Sequence, residues 1–289
     1  MVQALRGIDL EVPENAIYAL VGPNGAGKTT AIKVLMNILE PSGGRAEVMG
    51  LDSRKIAGDA FTAIGYVSEN QEMPDWMTVD RFFNYLRPFY PNWNADLENE
   101  MRKLFDLPRE RKLRHLSRGM KMKAALASSL AYRPRLIVLD EPFGGLDPLV
   151  RDQLIEAILE RAAEATVFIS SHDLAEIESF ASHVGYLENG RLLFSEEMTA
   201  LNQRFREVEV TLGNTAAVPQ KTPPSWMQVN VSGSVARFTE SSFDAQRTNA
   251  EIRNVFGEVR TAEFTPMSLR AIFLAMAKAA ETARKGQAV

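Results

Sequence analysis

The apolar run Ile17-Tyr18-Ala19-Leu20-Val21 opens directly into Gly22-Pro23-Asn24-Gly25-Ala26-Gly27-Lys28-Thr29-Thr30. Beyond it, Ile32, Leu35, Met36 and Leu39 recur at helical spacing, and the periodicity predicts a helix over 29–39, stopped by Glu40-Pro41-Ser42-Gly43-Gly44. The pattern Gly22-x4-Gly27-Lys28-Thr29, set between a buried strand and an amphipathic helix, matches the phosphate-binding loop, and the P-loop NTPase core of an α/β protein is the fold it predicts. The glycines let the backbone curl so that its N–H groups converge on phosphate oxygens, and the helix N-terminus adds positive potential. Within this loop Lys28 is expected to reach the β- and γ-phosphates of a nucleotide and Thr29 a Mg2+ ion.

A second apolar strand, Leu136-Ile137-Val138-Leu139, ends in Asp140-Glu141. Asp140 is expected to hold Mg2+. Glu141, turned the other way by strand alternation, is expected to polarise an attacking water. Adjacent carboxylates favour nucleotide hydrolysis over phosphoryl transfer to a metabolite. A helix over 149–163 and a strand over 166–170 complete a strand–helix–strand unit of a parallel sheet. Between these parts, residues 72–133 lose strand character and read as a helical insert, its aromatics Trp76, Phe82, Phe83, Tyr85, Phe89, Tyr90 and Trp93 expected to pack its core. Past about residue 202, alternating Val208, Val210 and Leu212, a hairpin turn at Ser232-Gly233-Ser234, a helix over 242–256 stopped by Gly257, and a last helix capped by Ser268 read as a small α+β domain. The predicted division is 1–204 and 205–289.

A chain of 289 residues can bury one large core and one small one. A net charge of −4 gives no basic surplus for nucleic acid, so no nucleic-acid partner is expected. With no cysteine there are no disulfides or thiolate metal sites, which fits a reducing compartment. The first fifteen residues lack the layout of a signal peptide. Leu269 to Ala280 is too short, and too broken by Lys278, to span a bilayer. A membrane role is therefore expected only through a partner.

Leu116-Ser117-Arg118-Gly119-Met120 lies shortly before the acidic strand and opens a helix through Ala131. In this order and spacing it resembles the signature sequence of ATP-binding-cassette (ABC) ATPases. Gly144-Gly145-Leu146-Asp147 and Ser171-His172 stand where that family has its dimer-contacting loop and its switch histidine. The resemblance covers residues 1 to about 200. It implies ATP and Mg2+ as cofactors, with two cassettes paired head to tail around two nucleotides. Ser117 and Gly119 would contact the γ-phosphate on the opposite subunit, Glu141 would activate water, His172 would stabilise the transferred charge, and Asp147 would couple the two sites. The partner would be a second copy or a paralogous ATPase subunit.

Three features depart from the family pattern. Glu69 stands where a glutamine usually senses Mg2+ and water, with Gln71 two residues on as the alternative. Arg118 and Met120 replace a glycine and a glutamine. The strand that usually carries an adenine-stacking aromatic is expected to be missing, since the chain starts late, and Tyr18 is expected in the core. Phe89-Tyr90-Pro91-Asn92-Trp93 and the stretch Thr265 to Phe273 resemble ATPase subunits of bacterial exporters of the bacitracin-resistance and acetoin-operon kind. That likeness implies integral-membrane partner subunits, a cytoplasmic position on the inner face of the membrane, and a regulatory or dimer-supporting tail. Soluble cassettes acting on nucleic acid or ribosomes, or as ATP-gated regulators, are the alternatives.

Overall fold

A computed structural model describes residues 3–286, so the first two and last three residues of the expected domains lie outside the described residues. These residues divide into two compact units, one ending at Ser195 and the other beginning at Glu196.

The first unit is built on a six-stranded sheet. Its order runs Ile64–Ser68, Leu136–Asp140, Thr166–Ser171, Ile17–Val21, His183–Glu188, Arg191–Glu197. The first five strands pair in parallel. Every residue of Ile17–Val21 is buried, as a central parallel strand covered on both faces requires. Tyr18 is fully buried and stacks on Phe168 at 5.8 Å, and burial pushes its phenol up to about 12. The ring has space because the neighbouring strand carries Gly185, where a Cβ would stand 2.1 Å from the Tyr18 hydroxyl. Carboxyl ends of parallel strands gather at one edge of such a sheet, and Val21, Asp140 and Ser171 all end there, so the loops that follow them are neighbours.

The helix after the glycine loop spans Lys28–Leu35, shorter than the periodicity predicts. Asn37 takes the left-handed conformation (φ 54°), and its side-chain amide donates to the carbonyls of Arg54 and Ile56. Ile38 and Leu39 are consequently exposed rather than part of the helix face.

The insert contains helices Val79–Leu86, Ala95–Leu104 and Arg118–Leu130. Its centre is part ionic. The Arg102 guanidinium lies 4.3 Å above the buried Phe83 ring and pairs with Asp80 and Glu98, while Glu98 also accepts from Arg87 and Trp93 Nε1. Phe82 and Phe83 are core, as expected, but Trp76, Tyr85 and Phe89 are exposed.

The second unit is a four-stranded antiparallel sheet, ordered Trp226–Ser232, Val235–Glu240, Arg206–Leu212, Val259–Pro266, with helices Ala245–Phe256 and Leu269–Gly286. Trp226 stacks on Phe238 and Phe256 within its core. Gly257 (φ 74°) ends the first helix, and the Ser268 hydroxyl accepts from Ala271 N–H at the start of the second. Among the described residues no helix is long and apolar enough to cross a membrane.

Candidate active site

The glycine loop curls as its sequence demands. A Cβ on Gly22 would stand 2.0 Å from the Leu187 carbonyl oxygen, and one on Gly27 would stand 2.7 Å from that of Ala4. Lys28, buried, turns back into the curl. Its Nζ donates to the carbonyls of Gly22 (2.6 Å) and Pro23 (3.2 Å) and pairs with Glu141 at 3.1 Å. A cleft of about 460 Å3 opens over the loop, lined by Asn24, Gly25, Gly27, Lys28, Thr29 and Thr30. Glu69 and Glu141 form part of its wall, as do Arg6 and the Asn189–Gly190 turn. Ala26 lies beneath it, 2% exposed, its carbonyl accepting from Gly190 N–H.

The Thr29 hydroxyl donates to Asp140 Oδ1 at 3.0 Å, and Ser170 donates to the same oxygen at 2.6 Å. Sequence reasoning missed Ser170. It is a small polar residue in a buried strand, and only strand pairing reveals that it faces Asp140. Its hydroxyl also accepts from Glu141 N–H at 3.0 Å. Glu141 is not placed by strand alternation, contrary to the sequence expectation. The strand ends at Asp140, and Glu141 takes φ 51°, a strained backbone for a residue with a side chain. That twist aims its carboxylate at Lys28 on one side and at His172 Nδ1, 2.7 Å away, on the other.

The oxygen set of Thr29 and Asp140 suits Mg2+, a hard ion that takes one or two carboxylates and completes its shell with phosphate and water. Among the described residues no group of three or more His, Cys, Asp or Glu is placed to hold a metal ion by itself.

Ser117 and Gly119 lie elsewhere. Ser117 caps the helix Arg118–Leu130, accepting from Met120 N–H, and Gly119 packs towards Val150 and Leu146. Neither lines the cleft over the glycine loop. Asp147 is exposed and caps the helix Pro148–Ala162 through Val150 N–H. Glu69 N–H donates to the Asp140 carbonyl at 2.9 Å, and its carboxylate pairs with Arg118. Gln71 lines a neighbouring cleft of about 240 Å3 with Met73, Leu116, Lys121 and Met122, and Glu69 lines both clefts.

The ABC transporter family profile matches residues 5–144. An ABC transporter ATP-binding protein of Synechocystis is 32% identical over 221 residues, 73% of this chain and 61% of that protein. The chain thus spans less than two thirds of that relative. The bacitracin transport ATP-binding protein of Bacillus licheniformis is 30% identical over 73% of this chain and 71% of its own. Among solved structures, an ATP-binding subunit of an ABC transporter superposes with a TM-score of 0.64 at 27% identity, covering 69% of this chain and 86% of that one.

Proposed function

Because the chain belongs to the ATP-binding proteins of ABC transporters, we propose that it hydrolyses ATP as one of a pair of cassettes whose closing and opening drive membrane-embedded subunits. One observation supports the reading: the side chains that would act together lie in two separate places. Lys28, Thr29, Asp140, Glu141 and His172 converge on the glycine loop, while Ser117 and Gly119 sit at a helix N-terminus outside that cleft. A second copy related by a twofold axis supplies its own helix terminus to this cleft and receives the reciprocal service.

In this reading the backbone from Gly22 to Thr30 cradles the triphosphate and Lys28 neutralises its outer oxygens. Thr29 and Asp140 would hold Mg2+, assisted by Glu69, and the ion would offset charge on the β- and γ-phosphates. Glu141 takes a proton from the attacking water. His172 fixes the orientation of Glu141 and offsets charge developing at the reacting phosphate. Asp147 ties the helix Pro148–Ala162 to the glycine pair before it and so couples the two sites.

The chain has no native cysteine, which makes the paired arrangement directly testable. Ser117→Cys and Asn24→Cys proteins, prepared separately and mixed under mild oxidant, are expected to form a disulfide-linked dimer when ATP is present and not otherwise. Absence of the cross-link at saturating ATP would contradict the shared site.

The likeness to the bacitracin transport protein supports a cargo exporter with separate membrane subunits, which would hold the chain at the inner face of the membrane. The cleft between Met73, Leu116 and Met122, with exposed Trp76, Tyr85 and Phe89 on the same insert, suits the apolar face of a helix from such a subunit. Trp76→Ala is expected to weaken co-purification with a membrane protein encoded beside this chain by about tenfold, the scale of an aromatic contact at an interface. Undiminished recovery of the complex argues against docking there, and cargo accumulation rather than loss argues against export.

A further inference from the structure

Glu69 and Arg118 each depart from the family pattern, and they are bound to one another. Glu69 leaves the strand Ile64–Ser68 tied to the Asp140 carbonyl, and it stands in the wall of the cleft that holds Lys28 and Glu141. Arg118 is the first residue of the helix that Ser117 caps. Its guanidinium lies against the Gly144-Gly145 turn as well as on Glu69. A Cβ on Gly144 would stand 3.0 Å from Glu69 Oε1 and 3.4 Å from Arg118 Nη2, and one on Gly145 would stand 3.1 Å from Arg118 Nη1. Three separate loops therefore meet at this one ion pair.

Each charge is unfavourable alone. A carboxylate in the wall of a phosphate cleft repels the ligand. A cation in the first turn of a helix opposes the macrodipole. Paired, the two cancel. The side chains are 50% and 34% exposed, so the pair contributes little to folding, and its consequence lies at the site.

We propose that Arg118 is a positioning residue for nucleotide binding: it holds and neutralises the Glu69 carboxylate, so that an acidic side chain can stand beside the γ-phosphate without expelling it. The proposal rests on the reading of Glu69 as a nucleotide-facing residue. The same contact fixes the start of the Ser117 helix to the loop bearing Gly144-Gly145, so the surface offered to a second copy and the wall of the chain's own cleft are set together.

The test is a fluorescence titration of the full chain with trinitrophenyl-ATP across a range of Mg2+ concentrations. It compares the parent with Glu69→Gln, Arg118→Ala, Arg118→Lys and the double variant Glu69→Gln/Arg118→Ala. Arg118→Ala is expected to weaken nucleotide binding about tenfold by unmasking one charge near the phosphates. Adding Glu69→Gln to it restores affinity to within about threefold of the parent, because a neutral amide needs no counter-charge. Arg118→Lys recovers most of the loss. Glu69→Gln alone shifts the Mg2+ concentration for half-maximal binding by about threefold or more. A double variant as weak as Arg118→Ala, with Glu69→Gln still altering the Mg2+ dependence, overturns the pairing and leaves Glu69 at the nucleotide. An unchanged Mg2+ dependence in Glu69→Gln removes Glu69 from the nucleotide and the proposal with it. A role for Arg118 confined to contact with a second copy leaves the loss unrescued and likewise overturns it.

Discussion

Glu141→Gln is expected to hydrolyse ATP at least about a hundredfold more slowly than the parent, the usual scale for removing a general base, and to accumulate as a nucleotide-loaded dimer. The amide keeps the size of the side chain and its reach to Lys28 and His172, both within hydrogen-bonding distance of the carboxylate. What it loses is the basicity to take a proton and one negative charge beside the phosphate cleft. The first change stops turnover. The second lowers repulsion toward the triphosphate and keeps it bound. Turnover assays with size-exclusion chromatography in Mg2+ and ATP read both effects. A variant that retains a third or more of parental activity would show that the proton goes elsewhere.

The second large effect is at Gly22. An added methyl group in Gly22→Ala meets the Leu187 carbonyl oxygen at 2.0 Å. Leu187 belongs to the strand His183–Glu188, held between Ile17–Val21 and Arg191–Glu197, and cannot retreat. The loop must move instead. Its N–H groups then no longer converge, and Lys28 loses the Gly22 carbonyl that anchors it at 2.6 Å. ATP affinity is expected to fall at least about a hundredfold, equivalent to roughly 2.7 kcal/mol. Gly43→Ala, where a Cβ would meet no atom within 4 Å, is the control and should bind as the parent does. Equal affinities for the parent and Gly22→Ala, measured by calorimetry, would mean that the loop does not cradle the phosphates.

The central strands were legible in the sequence because strands buried on both faces are written as unbroken apolar runs, as in Ile17–Val21 and Leu136–Leu139. The edge strand Ile64–Ser68 was not, since Gly65, Tyr66 and Ser68 interrupt its pattern. The helix after the glycine loop was read too long because Leu39 keeps the spacing while Asn37 has already turned the chain. At the site, motif spacing named Lys28, Thr29, Asp140 and Glu141, and the family resemblance added His172. Spacing could not reveal how Glu141 is aimed, because a left-handed backbone at a glutamate leaves no mark in the sequence. Nor could it reveal Ser170 or the bond between Glu69 and Arg118, which depend on strand register and on contact across separated segments.

The Ala4 carbonyl stands 2.7 Å from where Gly27 would carry a Cβ and 2.6 Å from where Gly190 would. The opening segment of the chain is thus wedged against two bare backbones, one of them the nucleotide loop. Two missing methyl groups set the route of that segment. In any relative that fills either position, the backbone at Ala4 and Leu5 must take a different path, so changes at residues 27 and 190 and at residues 4 and 5 should be inherited together.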